Sequence, residues 1–430
     1  MGVKNSSGVV TAASVINYSG LDNLEIFLGS GGDTLNVTGV MKRDDAHRTI
    51  TVVNTGAGND AVTVSLAAAG NGFFVLNTEA GDDHIDASAS TLGVTIFGGL
   101  GSDTITGGHG ADTIFGDKGQ IDYRDGSGKV VTRLGLGLAE RVVLKPGDAA
   151  VGSTDLPFFQ TDGVNRQAEI ITTRATGTGS VDTITGGDGD NIILGGLGAD
   201  TITTGTGTDL ILGDNGSIQY DTAGVLNRLQ TISPELGAGD TIHTGAGTKH
   251  IIGGYGKDEI TANAGDHVII GDAGQIDYDT DGAVRKVDTT DTVDHPEYGD
   301  MDTIVTGNGN SLVLGGMGVD TITTATGTDV ILGDNGTVTY TGTTGSLKLS
   351  QALTKLSSEG AGDTIHTGAG TKHIIGGYGA DAITAGTGNH VIIGDAGQVD
   401  YDTDGAVKVL ATTDTEANSA YGDADTITIT

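Results

Sequence analysis

Gly98-Gly99-Leu100-Gly101-Ser102-Asp103-Thr104-Ile105-Thr106 is one copy of a nine-residue phrase, G-G-x-G-x-D-x-I-x, that recurs at Gly195 to Thr203, Gly253 to Thr261, Gly315 to Thr323 and Gly376 to Thr384. Its glycines admit positive φ and a tight turn whose carbonyls face inward. The Asp adds a hard carboxylate oxygen, and x-I-x reads as a short strand that sends one apolar residue into a core. Stacked in register, such turns line carbonyls and carboxylates into cation sites, so the period predicts a β-solenoid.

Composition agrees. Glycine fills 76 of 430 positions, yet it recurs with period nine rather than three and alternates with Ile, Val and Leu, which favours a stacked β core over collagen or disorder. There is no Cys, so metal rather than disulfide must staple the fold. The formal charge of -35, from 56 acidic against 21 basic residues, excludes nucleic acid as a natural partner and makes cations the natural one. No apolar run reaches the roughly 18 residues of a membrane-spanning helix.

These repeats resemble the repeats-in-toxin (RTX), or hemolysin-type calcium-binding, family over residues 98–430. The resemblance implies an all-β fold, a right-handed parallel β-roll holding multiple Ca2+ inside its turns, and it implies bacterial secretion. It does not imply toxicity, because such repeats accompany proteases, lipases, adhesins and surface-layer proteins alike.

A longer period lies over the short one. Gly237 to Gly256 recurs letter for letter from Gly360 to Gly379, a shift of 123. Each such unit has two similar halves, and each half leaves the roll at a Gly-Asp-x-Gly turn for an insertion. The insertions are expected at about 120–176, 217–236, 275–298, 337–359 and 398–421. Alternating apolar residues followed by Asp281-Gly282 or Asp404-Gly405 read as β-hairpins. The first insertion is longer. Residues 1–97 carry looser Gly/Asp turns at Asp33, Asp60 and Asp83 and read as irregular solenoid coils ahead of the 98–430 array. The closing Asp425-Thr426-Ile427-Thr428 opens another repeat, so the expectation is a piece of a longer array whose neighbouring repeats are partners.

Two nonapeptides make one coil, and the two sheets this creates differ. Strands such as Thr183-Ile184-Thr185 and Thr201-Ile202-Thr203 carry one apolar residue between polar ones, a sheet with a wet outer face. Strands such as Ile192-Ile193-Leu194 and Leu210-Ile211-Leu212 are apolar on both faces, so something must cover them: the hairpins as a third layer, or a second roll in self-association. The turns differ too. Before first-sheet strands the sixth position is always Asp: Asp103, Asp182, Asp200, Asp240, Asp258, Asp302, Asp320, Asp363, Asp381 and Asp425. Before second-sheet strands it includes Lys249, His267, Lys372 and His390, which cannot be hard anionic ligands. Calcium is therefore expected along one edge, formed by the first-sheet aspartates with Asp33, Asp60 and Asp83 and joined by Asp214, Asp272, Asp334 and Asp395 of the Gly-Asp-x-Gly turns. Asp at such turns also closes Asx turns; regular spacing, flanking glycines and net charge favour the cation.

No H-E-x-x-H, nucleophile elbow or Cys/His pair appears, so an enzyme is not expected. The favoured function is a calcium-binding structural segment, a stalk, extender or surface-layer element, of a large secreted or cell-surface bacterial protein. An adhesin using its insertions is the alternative, and ice binding through the Thr-rich sheet is a weaker one, because His243, Glu259, Val305 and His366 interrupt the array.

Overall fold

The computed structural model describes residues 2–4, 10–13, 20–43, 49–125, 127, 130–135, 168–174, 179–290, 299–343, 345–355, 360–413 and 423–430. Among these there is no helix, and nearly all strands join three large sheets. A small antiparallel pair, Gly2–Lys4 with Val10–Ala13, stands outside them.

Two 13-stranded parallel sheets form the roll. The first runs from Thr34–Val37 to Thr426–Ile429 and the second from Asn23–Phe27 to His390–Asp395, with successive strands of the chain alternating between them. The coils of residues 20–97 lie in the same two sheets as the rest. Register follows the repeat. Ile184, Ile202, Ile242, Ile260, Ile304, Ile322, Ile365 and Ile383 form one column of the first sheet. They meet Ile193, Ile211, Ile251, Ile269, Val313, Ile331 and Ile374 of the second in one closed core. Each residue of these columns is worth about 1.5–3 kcal/mol of burial, and the glycine-rich turns need no core of their own.

The hairpins do form a third layer. An 11-stranded antiparallel sheet runs from Val130–Leu134 to Val407–Thr412 and stacks on the second sheet. Leu194, Leu210, Leu212, Ile252, Val268, Ile270, Leu312 and Leu314 face Ile218, Leu229, Ile276, Val287 and Val338 in a second core. The apolar stripe that raised self-association is therefore covered. Each hairpin departs after every other second-sheet strand: Gly216–Tyr220 follows Asp209–Leu212, and Gly274–Tyr278 follows His267–Ile270. Neighbouring hairpins also pair with each other, as Leu229 does with Ile276 and Val287 with Val338. At the tip of one hairpin, Gly282 adopts φ +80° where the amide of Asp279 donates to Ala283 O, a turn that the Asp-Gly dipeptide supplies. In the long insertion, Gly119–Arg124 pairs with Val130–Leu134 on one side and Ala168–Thr173 on the other; residues 136–167 lie outside the described residues.

Candidate metal centre

The sixth-position aspartates of the first sheet stack into an unbroken ladder. The amide of Asp33 donates to Asp60 Oδ1 (2.7 Å), Asp60 to Asp83 (2.8 Å) and Asp83 to Asp103 (2.8 Å). The same bond then links Asp103 to Asp182 (2.7 Å), Asp182 to Asp200 (2.8 Å), Asp200 to Asp240 (2.7 Å), Asp240 to Asp258 (2.6 Å) and Asp258 to Asp302 (2.8 Å). It continues from Asp302 to Asp320 (2.8 Å), Asp320 to Asp363 (2.8 Å), Asp363 to Asp381 (2.7 Å) and Asp381 to Asp425 (3.0 Å). One carboxylate oxygen per layer is thereby committed to holding the layer before it.

The other oxygen is not. Oδ2 of Asp103, Asp182, Asp200, Asp240, Asp258, Asp320, Asp363 and Asp381 is buried with no hydrogen-bond partner. It projects toward the leading glycine of the turn. A Cβ on Gly195 would collide with both Asp200 Oδ2 and Gly213 O, and one on Gly253 with both Asp258 Oδ2 and Gly271 O. Gly196 and Gly198 take φ of +113° and +119°, values that an L side chain rarely adopts. Each layer thus offers a carboxylate oxygen and a backbone carbonyl around a space that only glycine leaves open.

Burial there disfavours the charged form of the carboxylates. Burial pushes the Asp103 carboxyl up to about 9, and Asp182 and Asp381 to about 7. Burial followed by the charges of Asp240 and Asp182 raises Asp200, and burial followed by Asp302 and Asp240 raises Asp258. A cation at the Oδ2 atoms would favour the charged form again. Among the described residues no three His, Cys, Asp or Glu side chains gather in one cluster. The donors are one carboxylate per layer with backbone carbonyls, an all-oxygen set suited to a hard cation and not to zinc.

Residues 95–120, 176–217, 243–275, 298–336, 359–392 and 375–398 match the RTX calcium-binding nonapeptide repeat (four copies). Residues 95–398 are an RTX repeat array. RTX nonapeptide repeats bind calcium in multiple copies, and their β-roll architecture is the one described above. The RTX repeat is a structural family rather than a catalytic one. No curated protein matches the chain.

Within the RTX array the Gly-Asp-x-Gly aspartates lie beside the ladder but do additional work. Asp214 and Asp334 stand beside Asp240 and Asp363, whose Oδ2 atoms fill the space a Cβ on Gly213 or Gly333 would take. Asp214, Asp272 and Asp334 also cap backbone. Asp214 Oδ2 accepts the amide of Tyr255 (2.5 Å) and its Oδ1 that of Ala238 (3.1 Å). Asp272 Oδ2 accepts Met317 N–H (2.5 Å), and Asp334 accepts the amides of Tyr378 and Ala361. Asp395 aligns with Gly377 at the end of the series. Asp214, Asp272 and Asp334 thus tie the departure turns of their insertions to distant backbone. Sequence reasoning did not anticipate Thr204 and Thr324, whose hydroxyls donate to Oδ2 of Asp209 (2.7 Å) and Asp329 (2.6 Å) on the opposite edge. The spacing of five residues from Thr to Asp in both copies was the available signal.

Proposed function

We propose that the chain is a calcium-stabilised structural segment, a stalk, extender or surface-layer element, of a larger secreted or cell-surface bacterial protein. The observation that carries the reading is the aspartate ladder, whose buried Oδ2 atoms run along one edge from Asp33 to Asp381. Asp33, Asp60, Asp83, Asp103, Asp182, Asp200, Asp240, Asp258, Asp302, Asp320, Asp363, Asp381 and Asp425 would hold the ions, with Asp214, Asp272, Asp334 and Asp395 beside them. Bound calcium would neutralise carboxylates stacked about 4.8 Å apart and fix each glycine turn against the next. A rod of thirteen such layers, on the order of 60 Å long, spaces whatever lies at its two ends. RTX repeat proteins are typically secreted, and extracellular calcium modules work at affinities of roughly 0.1 to 1 mM. Among the described residues no helix is long and apolar enough to cross a membrane.

The test is a calcium titration of the chelator-treated chain followed by circular dichroism. Little β signal is expected in EDTA, with a large gain in millimolar calcium and a poor response to magnesium, which prefers small, octahedral, largely hydrated sites. A spectrum that does not change across the titration would refute the reading.

A further inference from the structure

The opposite edge of the roll carries different side chains at the same positions. There the sixth positions in chain order are Asn191, Asp209, Lys249 and His267 in one stretch, and Ser311, Asp329, Lys372 and His390 in the next. The amide of Asn191 donates to Asp209 Oδ1 (2.9 Å) and that of Ser311 to Asp329 Oδ1 (3.0 Å), the interlayer bond already seen on the first edge. The difference lies at Oδ2. Lys249 pairs with Asp209 in register and reaches back one layer, placing Nζ 2.6 Å from Asp209 Oδ2, 3.1 Å from Gly205 O and 2.9 Å from Gly207 O. Lys372 repeats the arrangement, with Nζ 2.5 Å from Asp329 Oδ2, 3.0 Å from Ala325 O and 3.2 Å from Gly327 O. Both lysine side chains are wholly buried.

We propose that Lys249 and Lys372 are tethered cations, each filling an oxygen cage that would otherwise take a calcium ion, so that this edge of the roll is built without metal. An ammonium has three N–H donors, and each cage presents three oxygens: one carboxylate and two turn carbonyls. Charge matches as well, since one ammonium balances the single carboxylate of its cage. Oδ2 of Asp209 and Asp329 is therefore satisfied, by the lysine and by the hydroxyl of Thr204 or Thr324, whereas Oδ2 of Asp200 and Asp320 on the first edge is not. In the following layer an imidazole takes a turn carbonyl instead, His267 Nε2 lying 2.6 Å from Asn263 O and His390 Nε2 2.7 Å from Gly386 O. The inference deepens the calcium reading of the first edge, because it sets where along the array calcium is not required.

The test compares calcium stoichiometry, by equilibrium dialysis against calcium alone, between the full chain and its Lys249→Ala/Lys372→Ala variant. The variant should bind two more ions per chain, and adding Asp209→Asn and Asp329→Asn should return the count to that of the parent. A variant that keeps its β signal in calcium yet gains no ion overturns the proposal. Should the variants fail to fold, amine acylation of the parent in calcium with peptide mapping decides. Lys249 and Lys372 should react at least ~100-fold more slowly than the exposed Lys257 and Lys348, and Asp209→Asn should release Lys249 while leaving Lys372 protected. Reaction of both lysines at the exposed rate overturns it. A parent chain that takes up no calcium while both lysines stay protected refutes the first-edge reading alone and upholds the lysine cages.

Discussion

Each ladder aspartate divides its carboxylate between two tasks, and the two can be separated by one atom. At Asp200, Oδ1 receives the amide of Asp182 while Oδ2 faces the glycine cradle. Asn keeps an oxygen for the amide but removes the charge. Asp200→Asn should therefore weaken calcium binding and raise the calcium concentration at which the chain folds, because the cation loses a charged ligand while the interlayer bond is kept. Isothermal titration reads the affinity and circular dichroism the calcium midpoint of folding; unchanged affinity would show that Oδ2 is held by something other than a cation. That Asp occupies the sixth position was legible from the spacing alone. The bond each Asp accepts was not, since the donor belongs to the previous layer, up to 79 residues away in the chain for Asp103 and Asp182. The capping by Asp214 and Asp334 was hidden for the same reason.

The strands of the second sheet and their hairpins share one core, so a cavity in either is felt by both. Leu229, fully buried in Leu226–Thr231, packs in that core. Leu229→Ala should cost about 2–5 kcal/mol, measured by denaturant melts in calcium, whereas exposed Lys348 in Ser346–Thr354, two hairpins further on, should tolerate Ala within ~0.5 kcal/mol. The same interface carries a pH response. His250 Nδ1 lies 2.7 Å from the hydroxyl of Tyr278, and burial, then the neighbouring His267, lowers the imidazole to about 4. A folded pKa below the unfolded value of about 6.5 means that the neutral ring favours the fold: this contribution is complete above pH 6.5 and is lost as pH falls toward 4. Relative to the parent, His250→Gln should flatten stability across that window by ~1–2 kcal/mol; parallel profiles would count against the assignment. Alternation along Ile218 to Tyr220 and Ile276 to Tyr278 showed which face of each hairpin is apolar. Which hairpin would pair with which was not written locally, because Leu226–Thr231 meets Gly274–Tyr278 only after two more coils have been laid down.

Over the whole molecule, contacts run almost entirely between adjacent layers, which makes stability a chain of nearest-neighbour terms. The ladder couples each calcium layer to the next through one hydrogen bond, so ordering of one turn favours ordering of its neighbour. Calcium titrations followed by circular dichroism should therefore be steeper than a single-site isotherm. Asp258→Ala, which removes both oxygens from the middle of the ladder, should split the transition into two, with hydrogen exchange protecting the two sides at different calcium concentrations. A single unshifted transition would show that coupling passes through the cores alone.

The hairpins depart at every second coil, and this interval has a geometric reason. Two coils advance the roll by two strand spacings, ~9.6 Å, and a hairpin brings two strands that need the same ~9.6 Å. The outer sheet therefore tiles the inner one without gap or crowding, however many units follow. A hairpin at every coil would demand twice the room available, and one at every third would leave a bare strip. The 123-residue period is thus a length at which cladding and frame grow at one rate, so a gene could add or lose whole units without spoiling the fit.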